Sequence, residues 1–101
     1  MDIHEVIIPP KILEKLEWKH HVKEHEVREV LAGNPNFQWA EKGNVKGEDV
    51  YLAFGQTDAG RYLTVAFVYK KNHDAICISA RNMDGKERRY YGKTKRTRRN
   101  S

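Results

Sequence analysis

Residues 50–82 read VYLAFGQTDAGRYLTVAFVYKKNHDAICISARN, and this stretch decides the fold. Short β-branched and aromatic runs are broken twice, where glycine, aspartate and asparagine collect. The pattern predicts three strands joined by two hairpins. Val50 to Phe54 is the first strand, Gly55 to Gly60 a loop, and Arg61 to Tyr69 the second strand. Lys70 to Asp74 is a turn and Ala75 to Ala80 the third strand. Parity puts Leu63, Val65 and Phe67 on one face of the middle strand, with Tyr62, Thr64, Ala66 and Val68 on the other. On the last strand Ile76, Ile78 and Ala80 oppose Cys77, Ser79 and Arg81. If the isoleucines meet the helices, Arg81 belongs to the open face or its end. A hairpin centred near residue 71 or 72 brings Arg61 and Arg81 to one end of the sheet, in whichever orientation a bulge leaves them.

Upstream, the period changes from two to that of a helix. Ile3 to Ile8 reads as an edge strand or an arm, stopped by Pro9-Pro10. Pro10 suits a first helical turn, followed by Ile12, Leu13 and Leu16. The helical signal falters at Lys19-His20-His21. A second helix runs from Lys23 or Glu24, with Val27, Val30 and Leu31 on its apolar face, and Gly33-Asn34-Pro35 ends it. Phe37 to Glu41 is a further strand, leading into a polar turn at Gly43 to Gly47. Downstream, Asn82 is placed to cap a short helix across Met83 to Tyr91. Helices segregated from a run of hairpins mean α+β: two N-terminal helices on a three- to four-stranded antiparallel sheet, with a short C-terminal helix. Residues 1–92 form a single domain on this reading, and 93–101 a flexible basic tail.

Composition narrows the function. No stretch approaches the roughly 20 apolar residues needed to span a bilayer, so no membrane role is expected and the chain reads as cytoplasmic. A single cysteine, Cys77, excludes an internal disulfide and a multi-cysteine zinc site. The net charge of +5 is unevenly spread: residues 86–101 carry +7, and the rest of the chain −2. That asymmetry points to nucleic acid, another polyanion or an acidic protein partner, with a solubilising tail as the plain alternative.

Two nearby arginines repel unless something anionic lies between them. A phosphodiester would supply that, because guanidinium groups bind its oxygens two at a time and stabilise the extra charge of a transition state. The alternative is that Arg61 and Arg81 each pair with a carboxylate, such as Glu87 or Asp58, and staple the surface. His20, His21 and His25 do not follow a metalloprotease spacing, so no metal or other cofactor is expected. A histidine here suits proton transfer or plain solvation. Tyr90 and Tyr91 beside Arg88 and Arg89 suit stacking on unpaired bases, with one tyrosine anchoring the helix to the sheet. Trp18 and Trp39 read as core or rim packing, and Cys77 as a buried small side chain.

Several of these segments together resemble the BrnT toxin family of RelE-like ribonuclease toxins, found in bacterial type II toxin–antitoxin systems. The resemblance is carried by Lys19-His20-His21-Val22, Glu26-Val27-Arg28-Glu29-Val30-Leu31 and Gly33-Asn34-Pro35. It continues through Gly55 to Leu63, Ile78-Ser79-Ala80-Arg81-Asn82-Met83 and Lys86-Glu87-Arg88-Arg89-Tyr90-Tyr91. It implies an endoribonuclease that works without a metal and is silenced by a cognate acidic antitoxin. The RNA, messenger RNA in particular, would be cut by attack of its 2′-hydroxyl on the adjacent phosphate. Carried over by position, Arg61 and Arg81 would hold the phosphate, and Lys19 or His20 would assist proton transfer. Lys86, Glu87 and Arg89 would support or complete the site, while Arg88, Tyr90, Tyr91, Lys93, Lys95 and Arg96 extend the RNA-binding surface. His21 stands where the family commonly has glycine, and Gly85 where a polar or basic residue is usual. A non-catalytic nucleic-acid-binding or protein-interaction module is the competing reading.

Overall fold

A computed structural model describes the backbone of residues 1–100 and the side chains through Thr94. The elements are β1 (Val6–Ile7), α1 (Pro10–His20), α2 (Glu24–Ala32), β2 (Asn36–Val45), β3 (Glu48–Gln56), β4 (Tyr62–Tyr69), β5 (Ala75–Asn82) and α3 (Gly85–Asn100). The fold is α+β. Its sheet is larger than the sequence suggests: five strands in the order β1-β5-β4-β3-β2. Strands β2 to β5 are antiparallel neighbours, whereas β1 joins β5 in parallel through only Val6 with Ala75 and Ile7 with Ile76. The sheet is therefore mixed. So short a parallel pairing leaves little trace in sequence, because it joins only two residues, one partly buried and one exposed.

The two N-terminal helices cover one sheet face. Leu16, Val22, Val27, Val30 and Leu31 pack there over Ala53, Leu63, Val65, Phe67, Ala75, Cys77 and Ala80. Phe67 lies fully buried at the centre, so truncating it to alanine is expected to destabilise by about 3–5 kcal/mol. Gly55 permits the close approach of α2 to β3. A β-carbon at Gly55 would lie 3.1 Å from both Pro35 Cβ and Val30 Cγ1, tighter than ordinary van der Waals contact.

The last strand departs from simple alternation. Phe67 pairs with Cys77 and Ala66 with Ser79, so Ile78 is an extra residue in a β-bulge. Cys77 consequently faces the helices and Ile78 is exposed, the reverse of the placement in which the isoleucines meet the helices. Burial pushes the Cys77 thiol up to about 11, so it is not poised as a nucleophile.

The final helix covers the opposite sheet face, where Phe54, Met83 and Tyr91 form a second apolar cluster with Leu52 and Tyr62. It starts later than expected and runs further, from Gly85 to Asn100. Its cap is Asp84, not Asn82: Glu87 N–H donates to Asp84 Oδ1 at 2.8 Å, and Asp84 N–H donates to Glu87 Oε1 at 2.9 Å. This reciprocal box satisfies two amides that the helix leaves open. Tyr91 is the tyrosine that anchors the helix, while Tyr90 is exposed. Trp18 and Trp39 are 80 % and 52 % exposed, so neither belongs to the core. Among the described residues no helix is long and apolar enough to cross a membrane.

Candidate functional site

The chain turns sharply after α1. His21 adopts a left-handed conformation (φ 54°), and Val22 N–H folds back to the Leu16 carbonyl at 3.0 Å. Glycine would take this positive φ without steric penalty, whereas histidine bears one. The turn also separates His21 from His25, which lies in α2, so the two do not share a helix face. It leaves the carbonyls of His20 and His21 turned toward the end of the sheet.

Arg61 occupies that gap. Its Nη1 donates to the His21 carbonyl at 2.8 Å and to Glu26 Oε1 at 3.0 Å, and its Nη2 to the His20 carbonyl at 3.1 Å. Nε donates to Asn82 Oδ1 at 2.8 Å. A positive charge is well placed against the open carbonyls of a helix C-terminus. Glu26 is held in turn by the Lys23 amide at 3.0 Å. Burial raises the Glu26 pKa, but the Lys23 amide and the Arg61 guanidinium outweigh it and leave the carboxyl below its usual range. Arg61 thus ties α1, α2 and β5 together, with its side chain 27 % exposed.

Arg81 lies on the other face. It pairs in register with Thr64, whereas Asn82 pairs with the core residue Leu63, so Arg81 and the Arg61 partner Asn82 point to opposite sides. Arg81 meets Glu87 end-on, with Nη1 to Oε1 at 2.7 Å and Nη2 to Oε2 at 2.8 Å. Nη1 also donates to the Asn82 carbonyl at 3.1 Å. Among the described residues Nε carries no hydrogen bond, which leaves the edge formed by Nε–H and one Nη2–H open. Guanidinium geometry makes that edge a second two-pronged donor, fitted to carboxylate or phosphate oxygens. The Arg81 side chain is 42 % exposed, so an anion can reach it. Its Glu87 partner is fixed by the Arg81 bond first, and also by the Asp84 amide and the Thr64 hydroxyl at 3.0 Å. Together these hold the carboxyl below the usual range against the effect of burial.

Asn82 is the bridge between the arginines, accepting from Arg61 through its side chain and from Arg81 through its backbone. Both arginines also have carboxylate partners, Glu26 and Glu87, so stapling accompanies any role toward a ligand. Lys19 and His20 stand in the last turn of α1, the segment gripped by Arg61. Lys86, Arg88 and Arg89 are exposed along α3. Arg88 sits 4.1 Å above the Tyr62 ring, and Tyr90 packs edge-on to Phe54 at 5.6 Å. Arg88, Arg89, Gly92 and Lys93 line a shallow groove on the same helix. Of the expected flexible tail, residues 93–101, the side chains from Lys95 onward, Arg96 included, lie outside the described residues. Sequence reasoning missed Glu26, Asn82 and Thr64 as parts of this network. The Asp84-Gly85-Lys86-Glu87 capping pattern was its one readable trace.

Residues 13–87 match the family model described as the BrnT ribonuclease toxin of type II toxin–antitoxin systems. The chain belongs to the BrnT toxin family. No curated protein matches it. The family match takes in Lys19, His20, Arg61, Arg81, Lys86 and Glu87, and it stops before the aromatic and basic residues further along α3. The BrnT match also omits the N-terminal arm and β1.

Proposed function

We propose that this BrnT-family protein is a metal-independent endoribonuclease that cleaves RNA, messenger RNA in particular. In the cytoplasm of its bacterial host it would be held inactive by a cognate acidic antitoxin. The observation that carries the reading is the free edge of Arg81. Its outer fork is occupied by Glu87, while Nε has no hydrogen-bond partner among the described residues and the side chain is 42 % exposed. A phosphate bound there keeps the Arg81–Glu87 pair intact, so the guanidinium is already oriented when negative charge grows on the reacting phosphorus. Such preorganised donors contribute more to the transition state than to the ground state.

Attack of the 2′-hydroxyl on the adjacent phosphorus forms the cyclic phosphate and breaks the bond to the 5′-oxygen of the next nucleotide. The 2′-proton must leave and the departing 5′-oxygen must gain one. Lys19, exposed, and His20, half-buried, stand at the end of α1 and supply candidate groups for those transfers, histidine being the residue type better matched to neutral pH. Glu87, held ionised, serves to orient Arg81. Arg61 acts on this reading as a positioning residue, because its four bonds fix the α1 terminus that presents Lys19 and His20. Arg88, Arg89, Tyr90 and Lys93 offer cations and an aromatic surface for neighbouring nucleotides, with Lys86 near the site, Tyr91 as the anchor, and Lys95 and Arg96 adding charge.

The competing reading, a module that holds nucleic acid or protein without cutting, is favoured by the carboxylate partner on each arginine. Incubating purified protein with RNA in EDTA and analysing the product ends separates the two. Cleavage yielding 2′,3′-cyclic phosphate and 5′-hydroxyl ends is expected. Retention of intact RNA would support the binding module.

A further inference from the structure

The other end of the sheet gathers three ligand-type side chains from segments about 70 residues apart. Asp2 and His4 belong to the N-terminal arm, and His73 to the turn between β4 and β5. We propose that Asp2, His4 and His73 form a binding site for a divalent ion of the zinc type. His4 Nε2 lies 3.3 Å and His73 Nδ1 3.7 Å from the same oxygen, Asp2 Oδ2. The three donor atoms all fall within 4.8 Å of one another. Tetrahedral zinc with bonds of about 2.0–2.1 Å places its donors about 3.4 Å apart, so the 3.3 Å edge already fits and the 3.7 Å edge is only slightly long. The third closes by rotation of an exposed imidazole. Two imidazoles and one carboxylate suit zinc, cobalt, nickel or copper better than magnesium or calcium, which prefer all-oxygen sets.

The backbone holds these groups together independently of any ion. His4 N–H donates to the His73 carbonyl at 2.9 Å, and Ala75 N–H to the Glu5 carbonyl at 2.8 Å. The Tyr69 hydroxyl donates to the Asp2 carbonyl, and the Tyr69 ring stacks on His73 at 5.4 Å. A bound ion would clamp the arm to the turn and so reinforce the two-residue parallel pairing of β1 with β5. Without an ion the same groups make exposed polar contacts of small value. The site stands one β4 length from Arg61, roughly 25 Å at about 3.3 Å per residue, so it plays no part in the proposed RNA chemistry. Asp2 and His4 precede the family-matched region, whereas His73 lies within it.

The test uses the full, untagged chain in chelator-treated buffer, titrated with zinc sulfate by calorimetry and followed by thermal unfolding. One equivalent is expected to bind with a dissociation constant on the order of micromolar and to raise the melting temperature. Asp2→Asn, His4→Gln and His73→Asn are each expected to weaken binding at least tenfold, with loss of the thermal shift. Asparagine tolerates the left-handed φ of 74° at His73, so that variant keeps the turn while losing the ligand. His25→Gln, in α2, is expected to bind like the parent. No zinc binding by the parent, or parent-like binding by both His4→Gln and His73→Asn, would overturn the proposal. Neither result bears on RNA cleavage in EDTA, which is measured separately.

Discussion

Arg81 and Glu87 face each other end-on across the junction of β5 and α3, joined by two bonds of 2.7 and 2.8 Å. One carboxylate caps the helix through Asp84 N–H, receives the Thr64 hydroxyl and orients the arginine. The sheet, the helix start and the exposed cation are therefore set by a single side chain. The arrangement commits one fork of Arg81 to the fold and leaves the Nε edge without a hydrogen-bond partner among the described residues.

That role makes stability dependent on pH in the acid range. Glu87 is held below its usual range chiefly by Arg81, and Glu26 by the Lys23 amide and Arg61 against the raising effect of burial. A carboxyl whose folded pKa lies below its unfolded value near 4.5 contributes stability that is fully present above that value. The contribution is lost as pH falls through the folded pKa. Urea unfolding from neutral to acid pH is expected to show this decline. Glu87→Gln is expected to flatten it while lowering stability at neutral pH. An unchanged acid limb in Glu87→Gln would show that Glu87 has no such linkage.

Arg61 carries more of the fold than of the exposed site. Arg61→Ala leaves the His20 and His21 carbonyls and Glu26 without their shared donor. A loss of about 2 kcal/mol in unfolding free energy is expected, the order for hydrogen bonds to a charged group. Stability equal to the parent in denaturant titration would contradict the assignment of Arg61 as the tie between α1, α2 and β5.

The left-handed turn at His21 offers a change in the opposite direction. His21→Gly is expected to stabilise by about 0.5–1 kcal/mol, because a β-branch-free but non-glycine residue still bears the steric cost of φ 54°. Its carbonyl, which Arg61 uses, is kept. A lower unfolding midpoint for His21→Gly would mean that the imidazole supplies contacts outweighing that cost.

Much of this architecture is readable from local pattern. The β3–β4–β5 hairpins, the interruption at Lys19-His20-His21 and the glycine-proline stop at Gly33 to Pro35 each follow from residue types whose backbone preferences act locally. Where interactions are long-range, the pattern fails. Nothing in residues 75–80 marks Ile78 as bulged, so alternation misplaces Cys77. The partners of Arg61 include two backbone carbonyls, which carry no side-chain signal at all. Trp18 and Trp39 show that a large aromatic side chain does not by itself imply burial. The Arg81–Glu87 pair was legible as an alternative to a phosphate clamp; the geometry lets both hold, on separate edges of one guanidinium.

Binding to RNA is expected to weaken with salt, since each neutralised phosphate releases counterions. Removing residues 95–101 deletes Lys95, Arg96, Arg98 and Arg99 while keeping Thr94, which bonds with Asn36. The log–log salt slope is expected to become shallower by up to about 3, at roughly 0.7 per single-strand phosphate contact. Cleavage at saturating RNA is expected to persist. Its disappearance would place the tail within the reacting site.

The most direct measurement is the single-turnover cleavage rate at saturating RNA, in EDTA, for the parent, Arg81→Ala and Arg81→Lys. Arg81→Ala is expected to lose about 2–4 kcal/mol of transition-state stabilisation, roughly thirty- to a thousand-fold in rate, with a smaller change in affinity. Arg81→Lys is expected to fall short of the parent, because an ammonium cannot hold Glu87 on one fork and a phosphate on another. Parent-like rates in a folded Arg81→Ala variant would contradict the account.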